Sequence, residues 1–219
     1  MLDKVAGKVE GWTSVWGDIV FSPRHFFDKP NSNPQISPFE FFTGSLILSY
    51  ALTFLVSALY FLMFHRNVIA QKLGPHIDKH LTLVSELFIA YLMTFLIGFI
   101  IAAAIAFLVA KAVHSKAKFS QHFGMFLHLS ALEPAAAMAS TIMFLSDQKG
   151  WWLAGLIFLL TRIWALNAGY WGIQRVHRSS RSSEFVYLVG FLPSWIMLTT
   201  AIAALMWKML SWGIVPWWD

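Results

Sequence analysis

From Leu87 to Ala110 the chain carries no charged side chain, and the apolar stretch continues to Val113, longer than the ~20 residues a helix needs to cross a bilayer. Such a stretch constrains the whole chain, because lipid offers no hydrogen-bond partner to an unpaired backbone group and a helix satisfies its own. Four more apolar stretches accompany it, at about Phe42 to Phe64, Phe123 to Leu145, Trp151 to Ile173 and Phe185 to Trp207. Across the 219 residues 58% are hydrophobic and 12% charged, a balance that does not suit a soluble surface. The expected fold is an all-α integral membrane protein, a bundle of five transmembrane helices preceded by amphipathic interfacial helices. Its expected organisation is a cytoplasmic amphipathic segment over residues 1–41, a five-span domain over 42–210 and a Trp-rich interfacial tail over 211–219.

The net charge of +5 is modest, and its lysines and arginines stand in short runs between apolar stretches. That placement fits anionic lipid headgroups as partners rather than nucleic acid. With no cysteine the chain has no disulfide, no thiolate nucleophile and no cysteine-ligated metal. The first 40 or so residues lack the continuous apolar core of a cleavable signal peptide, so the first span is expected to act as its own insertion signal.

Val5, Val9, Trp12, Trp16 and Ile19 recur at spacings of three and four, which puts them on one face of a helix. Trp12 and Trp16 suit a headgroup layer, as do Trp217 and Trp218 in the tail, and these four are the expected interfacial anchors. The same N-terminal face would serve equally well to pack on the chain's own spans. Ser22-Pro23 starts a short second helix, KPNSNPQ at residues 29–35 breaks the chain, and Ser37 with Glu40 forms a capping box that launches the first span. In the second span Ala102, Ala106 and Ala110 make a small-residue row for close helix approach, and Ala165, Gly169 and Gly172 cluster near the end of the fourth.

Orientation follows from the basic residues. Lys4, Lys8, Arg24, Lys29, Lys111, Lys116, Lys118, Arg175, Arg178 and Arg181 fall on one side of five spans, and Arg66, Lys72, Lys79, Lys149 and Lys208 on the other. The excess places the N-terminus in the cytoplasm and the C-terminus on the opposite side.

Two apolar stretches carry a charge near their middles. Glu133, beside Pro134, lies ~15 Å into the third span, and Arg162 lies ~16 Å into the antiparallel fourth. An isolated charge at that depth costs ~3 kcal/mol on insertion scales, so an intramembrane ion pair, Glu133 with Arg162, is expected. His128 and Asn167 share a second depth and form an expected polar rung. The pair reads as a structural tie between the two helices; the other reading is a polar path for a proton or small solute.

No catalytic set emerges. Ser130 and His128 are two apart and fall on different helix faces, and phosphate-cradling glycine motifs are absent. His76 and His80 stand four apart without a carboxylate or cysteine at ligand spacing, a solvated loop rather than a metal site. The expectation is a protein that is not an enzyme and uses no cofactor or metal. It would act through association as an accessory or scaffold subunit, with lipid and other membrane subunits or its own copies as partners. The alternative is a small transporter or permease component.

Two patches resemble a known family. WGDIVFSPRHFF, Trp16 to Phe27, is similar to the opening signature of the Yip domain, where an apolar stretch leads into Ser-Pro and a paired aromatic. KAKFSQHF, Lys116 to Phe123, followed by a helix with Pro134, is similar to that family's third span, entered through a short polar loop. The layout agrees over most of the chain; Glu133 beside the proline and a hinge without paired glycines depart from it. The resemblance implies five spans and a cytoplasmic N-terminus. Eukaryotic members work in the early secretory pathway with Rab GTPases and each other through a long cytoplasmic region, whereas bacterial members mostly have no assigned activity. The short region before the first span here implies a bacterial member of the inner membrane, without the Rab role.

Overall fold

A computed structural model describes residues 2–28, 36–64, 77–145, 148–177 and 180–211, and all secondary structure among them is helical. In chain order the helices are α1 (Leu2–Phe21), α2 (Pro23–Asp28), α3 (Pro38–Phe64), α4 (Ile77–Ala112), α5 (Phe119–His128), α6 (Glu133–Leu145), α7 (Gln148–His177), α8 (Ser180–Phe185) and α9 (Leu192–Ser211). A 3₁₀ turn, Leu129–Leu132, joins α5 to α6, and a π-helical segment, Val186–Phe191, joins α8 to α9. Among the described residues, four helical stretches are long and apolar enough to cross a membrane: Pro38–Val56, Leu92–Ala112, Gly155–His177 and Ser182–Leu205. They overlap the expected first, second, fourth and fifth spans. The stretch expected as the third is divided into α5, the 3₁₀ turn and α6 rather than forming one continuous α-helix.

Proline accounts for the division. In an α-helix Pro134 would owe an N–H to the Ser130 carbonyl, and it has none. The Glu133 N–H, one residue earlier, donates to that carbonyl instead, which tightens the chain into a 3₁₀ turn. Pro193 produces the opposite response. There the Leu192 N–H reaches five residues back to the Tyr187 carbonyl, and the ladder widens into a π segment. Ser194 then turns its hydroxyl back to the Gly190 carbonyl at 2.8 Å.

Starts and close approaches follow the local sequence. The Ser37 N–H donates to Glu40 Oε2 at 2.9 Å and the Glu40 N–H to Ser37 Oγ at 3.2 Å, the reciprocal cap that opens α3. Ala102, Ala106 and Ala110 are buried on α4, and against them lies the π segment, where a Cβ on Gly190 would come within 2.9 Å of the Ala106 Cα. On α7 the Phe191 ring fills the space above Gly169, and Met125 of α5 lies against Gly172. Phe99, Phe126, Phe191 and Trp195 join these helices in one aromatic core, each nearly inaccessible. In that core α6 packs chiefly between α3 and α7.

The N-terminal face is seated on the bundle. Val15 and Ile19 are buried together with Phe41 and Ala131, while Val9 is exposed, so the inward stripe is rotated from the one the spacing of apolar residues indicates. Three indole N–H groups hold α1. Trp12 donates to the Phe41 carbonyl at 3.2 Å, Trp16 to the Ala131 carbonyl at 2.8 Å, and Trp164 of α7 to the Val20 carbonyl at 3.0 Å. The Ala131 carbonyl is one that a 3₁₀ ladder would pair with the N–H of residue 134, and a proline stands there. Val20 carries a carbonyl of the last turn of α1, which lacks a partner within its own helix.

Candidate functional site

The break before α6 puts Glu133 at the first position of that helix, where an anion also benefits from the helix dipole. Arg162, near the middle of α7, meets it with both terminal nitrogens: Nη1 donates to Oε1 at 2.6 Å and Nη2 to Oε2 at 3.3 Å. Both side chains are only 5% exposed. The guanidinium also lies 4.8 Å from the centre of the Phe158 ring. A bidentate pair in this setting neutralises both charges and fixes the rotation of α6 against α7.

His128 and Asn167 are not brought together as a rung. The His128 imidazole is buried between the rings of Phe26 and Phe41, with centroids 5.0 and 5.4 Å away. Asn167 is on the exposed side of α7. Trp12 and Trp16, expected as headgroup anchors, direct their N–H groups into the protein, so of their two readings the geometry has them packing on the chain's own helices. Trp217, Trp218 and His76 lie outside the described residues.

A second polar cluster, absent from the sequence reading, closes the end of the bundle where α4 stops, α5 starts and α7 ends. Ser115 Oγ lies 2.6 Å from His177 Nδ1, and His177 Nε2 lies 3.0 Å from His122 Nδ1. All three residues are buried. The chain of bonds ties three elements together. Lys111 completes the corner, with Nζ 3.1 Å from the Ala117 carbonyl and 3.4 Å from that of Ser115, while His114 takes a positive φ of 58° in the turn. The signal was invisible in sequence because His122 and His177 are 55 residues apart.

Beside this corner is a cavity of about 920 Å³. Its wall is part apolar, from Phe26, Phe27, Val113 and Met125, and part polar, from His114, Lys116, Ser120, Gln121, Arg175 and Ser182. Ser115 and His177 reach its edge. Among the described residues no carboxylate lines it. The arrangement can hold an anion; it lacks an acid to orient the histidine behind the Ser115 hydroxyl as a hydrolytic triad would need.

No family model, curated protein or solved structure matches this chain.

Proposed function

We propose that the protein acts by association within a membrane, as a nonenzymatic scaffold or accessory subunit that pairs with a second copy of itself through the outer face of α7. In this reading the divided α5–α6 stretch is a fifth crossing, the N-terminus is cytoplasmic, and the membrane is a bacterial inner membrane. The resemblance of Trp16 to Phe27 and Lys116 to Phe123 to the Yip domain supports the same layout, with the sequence departures already described.

The observation that carries the proposal is Asn167. It stands on the exposed face of a helix apolar enough to span a bilayer, in line with exposed Leu156, Leu160 and Ile163. Facing lipid, its amide would have no partner, and such side chains serve as contacts between membrane helices. A carboxamide is both donor and acceptor, so two copies related by a two-fold axis satisfy each other with the same residue. A solute path between α6 and α7 finds less support, since Glu133 and Arg162 neutralise each other, His128 is packed among rings, and Asn167 faces away from both.

The absence of native cysteine makes the test direct. Leu160→Cys and Ile163→Cys, which leave Asn167 in place, are expected to give cross-linked dimers when oxidised in intact membranes, while Met197→Cys on exposed α9 is not. Equal cross-linking at all three positions would overturn the pairing.

A further inference from the structure

The basic cavity carries an inference beyond association, and it rests only on the reading of the chain as a membrane protein. Arg175 is half-buried on its wall and makes no hydrogen bond or ion pair among the described residues. Lys116 adds a second cation and Ser120 a hydroxyl, and no described carboxylate lines this cavity; Asp28, paired with Arg24, shares the neighbouring cavity with Arg175. A half-buried guanidinium is the group best shaped to grip phosphate oxygens.

The position narrows the ligand. The cavity opens between the ends of two membrane-length helices, at Ala112 and His177, the level at which a lipid's phosphate would lie. Phe27 and Met125 add an apolar part to the wall, which suits the start of an acyl chain and would be idle against a small hydrophilic anion. We propose that this cavity binds one anionic phospholipid, its phosphate held by Arg175 and Lys116 and its glycerol and upper acyl region against Phe27 and Met125.

The test uses the full-length protein in neutral phosphatidylcholine nanodiscs. Phosphatidic acid or phosphatidylglycerol is titrated in, and bound lipid is counted by native mass spectrometry after gentle removal of the disc. The expected result is one retained anionic lipid per chain. Arg175→Gln should weaken retention about tenfold, as loss of a charge-assisted contact would, and Arg175→Lys should weaken it less. Lys118→Gln, a neighbouring basic residue outside the cavity, should change it less than about twofold by the same measure. An unfolding midpoint in neutral detergent matching the parent protein verifies that each variant is folded. Equal losses for Lys118→Gln and Arg175→Gln would reduce the effect to general surface charge and overturn the site. Stabilisation by inorganic phosphate alone, with no further gain from the lipid, would overturn the lipid as ligand.

Discussion

Glu133 and Arg162 show how much depends on one pair of side chains in an apolar bundle. Each is buried, and their two bonds join opposite charges inside the bundle. Removing one partner should therefore cost more than removing both. Glu133→Gln or Arg162→Met alone is expected to lower stability in detergent by about 3 kcal/mol or more. The double variant should recover most of that loss, because two neutral side chains of similar size leave no buried charge. Unfolding midpoints of the four proteins in one detergent give the coupling directly; a double variant as unstable as the sum of the singles would refute a mutual tie. The depth of these residues is readable in sequence because helical rise is uniform, and depth matching pairs them. The same method fails for His128 and Asn167. Each lies five residues from its charged neighbour, a rotation of about 140° around the helix, so equal depth does not give a shared face. His128 is buried among rings and Asn167 points outward.

At the level of elements, small residues decide which helices come close. Gly190 of the π segment sits over the Ala106 backbone, where a Cβ would approach to 2.9 Å and no flexible side chain could swing aside. Gly190→Ala should therefore separate α4 from the π segment and destabilise by about 1–3 kcal/mol, the usual cost of overpacking. A methyl group on Gly17 of α1 would meet nothing within 4 Å, so Gly17→Ala should be neutral or stabilising by up to about 1 kcal/mol through helix propensity alone. Thermal unfolding of the two variants side by side checks the contrast, and equal shifts would show that α4 and the π segment are not tightly apposed. The alanine row on α4 and the glycines of α7 are legible as sites of close packing, since small size acts the same way in any register. The prolines are visible too, but not the response to them. Pro134 sits beside a 3₁₀ turn and Pro193 beside a π segment, and the choice depends on which carbonyl a neighbouring N–H can still reach. Trp16 could not be assigned to the Ala131 carbonyl from sequence, because 115 residues separate them.

Across the whole molecule, hydropathy makes the class legible, because lipid selects for apolar length regardless of how the helices pack. The seating of α1 and the closed corner at the end of α4, α5 and α7 are tertiary, and no local pattern encodes them. That corner is held through one side chain. His177 lies 2.6 Å from Ser115 Oγ by its Nδ1 and 3.0 Å from His122 Nδ1 by its Nε2, and all three residues are buried. His177→Phe keeps a ring of similar shape but removes both bonds, leaving two buried polar groups without that partner, so it should destabilise by about 1–3 kcal/mol. Unfolding midpoints of the variant and the parent protein in one detergent check this, and equal midpoints would mean that the corner joining the three elements is open to water.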